Sequence, residues 1–329
     1  MTDFRQLPDL AVRSLGGSVV WANDESFAAR ENLISPGPSV FDTSAFGPKG
    51  KVYDGWETRR RREPGDDAAI VRLGAPGIVR GVVVDTSWFT GNYPPEVSVE
   101  GLHAADTDAV QDRTGWVPLV ARTAVTGDTE NAFAVHSDRR VTHVRLRIFP
   151  DGGVARLRVH GEALPDPALI DALGTVDLAA IENGGLVTAC SNLFYSSPHN
   201  LLLPGPARSM GEGWETARRR GDGNDWVEVG LAAQSTVAVA EVDTSWFLHN
   251  APGWATLRGR DGAGEWSDLL PRTPLQPDTR HRFRLPATPV TAVRLDILPD
   301  GGMSRLRLHG TPTVAGREHL AARWSAARR

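Results

Sequence analysis

Gly55-Trp56-Glu57-Thr58-Arg59-Arg60-Arg61-Arg62 occurs twice in this chain of 329 residues, the second time as Gly213-Trp214-Glu215-Thr216-Ala217-Arg218-Arg219-Arg220. Other segments recur in the same order around it. Asp85-Thr86-Ser87-Trp88-Phe89 returns as Asp243-Thr244-Ser245-Trp246-Phe247, and Pro150-Asp151-Gly152-Gly153 returns as Pro299-Asp300-Gly301-Gly302. Arg156-Leu157-Arg158 with His160-Gly161 is matched by Arg305-Leu306-Arg307 with His309-Gly310. A period of half the chain is a duplicated domain, too long for a solenoid repeat of roughly 20–50 residues. Each copy has about 160 residues, enough to bury about two-thirds of its unfolded surface in its own core.

Within each copy, short apolar runs are broken by Gly, Pro, Asn and Asp, the pattern of many short strands in a sandwich or barrel. Val144, Leu146 and Ile148 alternate with His143, Arg145 and Arg147, the period of two of a half-buried strand. With the turn at Pro150–Gly153, residues Val141 to Gly161 read as a hairpin. Leu157 and Val159 point inward, and Arg145, Arg147, Arg156 and Arg158 share the other face. Like charges on one face require cover, and Glu57 is the expected partner. The predicted fold is all-β: two tandem jelly-roll sandwiches, residues 1–164 and 165–329. Residues 1–15 read as a polar lead-in and Ser39–Lys51 as a loop insertion of about ten residues in the first copy. A short helix is expected after Pro165 and a capping helix over Gly316–Arg329.

Composition excludes several classes. A net charge of −4 and a pI near 6.1 give no drive toward nucleic acid or acidic membranes. No run approaches the roughly 18–20 apolar residues of a membrane span, and no apolar signal region follows Met1. The single cysteine, Cys190, fits a reducing compartment. A cytoplasmic protein is expected. No Walker A loop, complete G-x-G-x-x-G, G-x-S-x-G, H-E-x-x-H or C-x-x-C is present, so nucleotide, serine-esterase and standard zinc chemistry lack support. No cofactor is expected, and no spacing of carboxylates and histidines argues for a metal.

The repeated motifs hold the remaining candidates. In the Gly-Trp-Glu-Thr stretch a carboxylate sits beside an aromatic and a run of guanidiniums. Arginine clamps carboxylates and Glu accepts N–H bonds from amide or ureido groups, so this loop is suited to a small polar ligand. Core anchoring by Trp56 and Trp214, with Glu pairing Arg inside the loop, accounts for the pattern equally. Asp85-Thr86-Ser87 is open to reading as a plain turn or a ligand loop, and the strand-end histidines His160 and His309 as surface residues or acids.

These three motifs, duplicated in tandem and with Gly91-Asn92-Tyr93-Pro94 after the first Trp-Phe, closely resemble the allantoicase family over about residues 15–312. The second copy departs at Leu248-His249-Asn250-Ala251-Pro252-Gly253-Trp254. The resemblance implies two galactose-binding-like jelly rolls, a homo-oligomer, and hydrolysis of allantoate to ureidoglycolate and urea. It points to Glu57 or Glu215 as the base and His160 or His309 as the acid. Trp56, Arg59, Arg60, Arg156, Trp214, Arg218 and Arg305 are the expected substrate-binding residues. The alternative is a non-catalytic galactose-binding-like module for a small ligand or carbohydrate.

Overall fold

A strand of 19 residues, Asp67–Asp85, is the spine of the first repeat. Its first half pairs antiparallel with Ser18–Ala22 on one edge and with Arg140–Phe149 on the other. Glu96–Leu102 and Val117–Ala124 continue that layer outward. Its second half pairs with Glu130–Ala134 and with Arg156–Ala163. The register breaks between Arg72 and Gly77. Pro76 there has no N–H to give the ladder, and beyond the break the strand turns to its second set of partners. The second repeat has the same plan around Asp225–Asp243, again 19 residues long, with its register break between Gly230 and Ser235.

The computed structural model describes residues 3–48 and 50–327. They form two compact units, one running through Glu162 and the other spanning Ala163–Ala326. The alternation read in the sequence sets each core: Val144, Leu146, Ile148, Leu157 and Val159 are fully buried, as are Val293, Leu295, Ile297, Leu306 and Leu308. Each such side chain contributes roughly 1.5–3 kcal/mol by leaving water.

Two expectations change. The hairpin over Val141–Gly161 does not form. Arg140–Phe149 and Arg156–Ala163 both pair with the spine but on its different halves, as the second unit shows residue by residue: Pro289–Leu298 lies on Asp225–Thr236, and Arg305–Pro312 on Ser235–Asp243. The two arginine pairs therefore do not form one common face, and none of the four pairs with Glu57. Arg145 takes Glu100 at 2.7 Å, Arg147 takes Asp66 at 2.8 Å, Arg156 takes Asp54 at 2.6 Å and Arg158 approaches Asp9 at 3.5 Å. The lead-in is not merely polar either. Leu10 and Ala11 are fully buried, and the Leu10 N–H donates to Val159 O at 2.7 Å.

The short helix is Pro167–Leu173, capped by Asp166, whose carboxylate accepts from the Ala168 N–H. The C-terminal helix is Val314–Ala326; the final two residues of the expected helix, like Met1 and Thr2 of the lead-in and Lys49 of the insertion, lie outside the described residues. Among the described residues no helix is long and apolar enough to cross a membrane.

Candidate functional site

Both copies of Gly-Trp-Glu-Thr form a two-residue strand against the last glycine of Pro-Asp-Gly-Gly and the residue after it: Glu57 faces Gly153 and Trp56 faces Val154, while Glu215 faces Gly302 and Trp214 faces Met303. The glycines are required by close approach. A Cβ on Gly153 would sit 2.0 Å from the Phe89 ring, and one on Gly302 would sit 1.8 Å from the Phe247 ring. Gly152 and Gly301 have positive φ, +145° and +134°, and a Cβ on either would strike the backbone of the Asn92 or Asn250 loop. The duplicated turn thus seats a phenylalanine and presses an asparagine loop against the glutamate strand.

The asparagine is the residue that sequence reasoning missed. Gly153 N–H donates to Asn92 O at 2.7 Å, and Asn92 Nδ2 donates to Glu57 Oε1 at 2.7 Å. In the second unit Gly302 N–H donates to Asn250 O at 2.8 Å, and Asn250 Nδ2 to Glu215 Oε1 at 2.7 Å. The pairs are 35 residues apart in both units. This common spacing was visible in the sequence, but Gly91 and Tyr93 are replaced by His249 and Ala251, which hid the match. Glu57 is half-buried. Burial pushes its carboxyl above the usual value, and the Asn92 hydrogen bond only partly offsets this. A carboxylate oriented by one amide, with a raised proton affinity, is equipped to take or return a proton.

The tryptophans are corrected as ligand-binding residues. Trp56 and Trp214 are fully buried, and their indole N–H groups donate to Asp24 O at 2.7 Å and Asn192 O at 3.0 Å. They anchor the strand and cannot touch a ligand. Trp88 and Trp246, in the Asp-Thr-Ser-Trp-Phe turns, are instead exposed, 44% and 49% accessible. Both have positive φ, 71° and 73°, rare for a bulky residue. Asp128 and Asp278 hold them there by accepting their backbone N–H groups. Strain of this kind concentrates at functional sites. The preceding Asp85-Thr86-Ser87 is a turn, with Asp85 Oδ1 accepting from the Ser87 N–H and hydroxyl.

The arginine run divides by position. Arg59 donates to the Asp24 carboxylate at 2.7 Å while its side chain stays mostly exposed. Burial would raise Asp24, but N–H groups of Arg59 and Ser26 together with the Arg59 and Ser26 side chains hold its carboxyl below the usual value. In the second unit the Arg59–Asp24 pair is exchanged for Ala217 and Asn192, whose amide oxygen accepts the Ala217 N–H. Arg61 and Arg219 bind the buried first residues of the spines, Asp67 and Asp225. Arg60 and Arg218 are exposed. Arg156 is buried and its donors are taken by Asp54, Gly37 O, Pro38 O and Ala155 O, so it holds the loop rather than a ligand. Arg305 is buried in the equivalent place against Gly205 O, Glu212 O and Ser304 O.

The histidines are not brought to the glutamates. His160 lies seven residues beyond Gly153, the strand partner of Glu57, roughly 20 Å along extended chain, and its Nδ1 donates to Leu7 O at 2.8 Å. His309 pairs with Val239 and Asp177 at the matching end of its own strand. Within either unit one small molecule cannot span the glutamate and the histidine, so the acid role expected of His160 and His309 has no geometric support. Among the described residues no group of three His, Cys, Asp or Glu side chains could hold a metal ion.

Comparison with known proteins bears on this geometry. A family model described as the allantoicase repeat matches residues 8–164 and 176–313. A "Probable allantoicase" from Nocardia farcinica is 61% identical over 316 residues, covering 93% of this chain and 95% of the relative. An "Allantoicase" from Dictyostelium discoideum is 40% identical, covering 92% of this chain and 86% of that one. The crystal structure of an allantoicase from Saccharomyces cerevisiae superposes with a TM-score of 0.83 at 34% identity, covering 93% of each chain.

Proposed function

The chain belongs to the allantoicase family, and on that premise we propose that its proton chemistry is carried by the oriented carboxylates Glu57 and Glu215. The reaction is hydrolysis of allantoate to ureidoglycolate and urea, a C–N bond cleavage in purine degradation. Allantoate carries one carboxylate and two ureido groups on a single tetrahedral carbon. Removing the proton from the retained ureido N–H lets its electron pair form a C=N bond while the other C–N bond breaks. The departing nitrogen gains a proton and leaves as urea. Water then adds across the imine, hydroxyl to carbon and proton to nitrogen, giving ureidoglycolate.

Both nitrogens flank one carbon, so a single carboxylate can accept the first proton and return it to the leaving group. The observation that carries this assignment is the Asn–Glu pair, 2.7 Å in both units, with one carboxylate oxygen tied down. An acid–base group placed in this way supplies roughly 10²–10⁴-fold. Exposed Trp88 or Trp246 and the exposed Arg60 or Arg218 are the proposed borders for the planar ureido groups and the substrate charge.

A cytoplasmic homo-oligomer is the proposed setting. The lone thiol of Cys190 supports the first part. Leu193, Phe194 and Tyr195, three successive side chains each more than 60% exposed, support the second. Quantifying urea and ureidoglycolate from allantoate, with and without chelator, tests the reading. One of each product per allantoate is expected in both arms. Urea loss only after metal is added back, or two ureas per allantoate, would contradict it.

A further inference from the structure

The two units treat the same arginine differently. Arg156 and Arg305 are 3% and 4% exposed, and each donates Nη1 to the carbonyl just before its Gly-Trp-Glu-Thr stretch, Asp54 O at 3.0 Å and Glu212 O at 2.7 Å. In the first unit Nη2 also meets the Asp54 carboxylate at 2.6 Å. In the second, the Glu212 carboxylate turns outward to Arg208 at 2.6 Å, and no carboxylate among the described residues pairs with Arg305. Burial, reinforced by Arg307, pulls Arg305 down to about 10. Glu212 and Asp243 oppose that shift, but neither carboxylate closes on Arg305 as Asp54 does on Arg156, and an enclosed cation lacking a directly paired counter-charge is disfavoured.

Aromatic filling shows the same asymmetry. Tyr53 stacks on Phe89 at 4.8 Å and on Phe41 at 5.2 Å, and Phe41 stacks on Trp88 at 5.7 Å. Gly211 stands in the place of Tyr53, and a Cβ there would meet only Ser209 Oγ, at 3.8 Å. Trp246 has no ring stacked on it among the described residues. The longer first-unit loop brings its own carboxylate and rings to a place where the second unit has neither.

We propose that Arg305 anchors a carboxylate-binding site in the second unit, and that Asp54 and Tyr53 close the equivalent site in the first. The ligand class is a small carboxylate bearing a planar amide: Nη2 takes the charge as it takes Asp54 in the first unit, and Trp246 offers a face to the planar group. Identifying the ligand as allantoate rests on the allantoicase reading. Glu215 belongs to the same neighbourhood, since its strand partner Gly302 precedes Arg305 by three residues, about 10 Å of extended chain.

The test is calorimetric titration of the full chain with oxamate, an unreactive carboxylate with one amide, alongside allantoate turnover. One oxamate per chain is expected, competing with allantoate. Arg305→Lys should weaken it at least tenfold. Glu212→Asp keeps the net charge but recreates the Asp54 geometry, and should weaken it at least fivefold. Glu212→Gln should leave it within twofold. If Arg305→Lys does not fold, the Asp and Gln variants at position 212 decide alone. Absent oxamate binding, or equal binding by the two 212 variants, overturns the site. Arg305-dependent oxamate binding without urea release would instead overturn the reaction reading and leave the site standing. Urea release with an unchanged KM in Glu212→Asp would do the reverse.

Discussion

Asn92 donates its side-chain amide to Glu57 Oε1 at 2.7 Å, from a loop whose own carbonyl is held by the Gly153 N–H. The asparagine is therefore a positioning residue: it fixes the carboxylate without being the group that exchanges protons. It also stabilises the ionised form, against the burial that pushes Glu57 upward. Asn250 holds Glu215 in the same way in the second unit, and replacing it with Ala should lower kcat about tenfold or more and change KM much less. A purely structural role would lower thermal stability and leave kcat of the folded variant unchanged.

Glu57 also links pH to stability. Its folded value is raised, so the native state binds the proton more readily than the unfolded chain, and stability falls as pH rises from the unperturbed value of 4.5 through the folded value. The neutral isostere in Glu57→Gln still accepts from Asn92 and carries no buried charge. This variant should be at least as stable as the parent at neutral pH, with the difference vanishing below about pH 4.5. Thermal melts at pH 4 and pH 7 check the sign.

Trp214 is a core residue. Its truncation to Ala should destabilise the protein by about 3–5 kcal/mol, read by chemical denaturation. Trp246→Gly should behave oppositely. It removes a strained positive φ at an exposed site, so the melting temperature should hold or rise while activity falls.

Gly302→Ala should cost about 1–3 kcal/mol or more by overpacking, since the added methyl would lie 1.8 Å from the buried Phe247 ring. Gly211→Ala has open space and should change stability little. The two together separate the duplicated turn's packing demand from glycine content in general.

The sequence carries the duplication, the alternation of Val144, Leu146 and Ile148, and the turn at Pro150–Gly153, because each is a local pattern. It does not show that Arg140–Phe149 and Arg156–Ala163 part company. That follows from the register break in Asp67–Asp85, which sends each to a different half of the spine. The arginine run reads as one ligand clamp, yet burial divides it: Arg61 serves Asp67, Arg59 serves Asp24, and Arg60 faces outward. Trp56 and Glu57 are adjacent and so lie on opposite faces of one strand, which sends the indole into the core and the carboxylate toward Asn92. Asn92 and Asn250 keep a constant distance from their glutamates, but partners so far apart along the chain become evident only once the loop is folded.

The most direct measurement is kcat for urea release from allantoate by Glu57→Gln and Glu215→Gln, each made singly and confirmed to be folded. At least one is expected to lose about a hundredfold or more at a nearly unchanged melting temperature, and the Arg305 asymmetry places the larger loss in Glu215→Gln. Near-normal turnover in both variants would remove the glutamates from the chemistry and contradict the account.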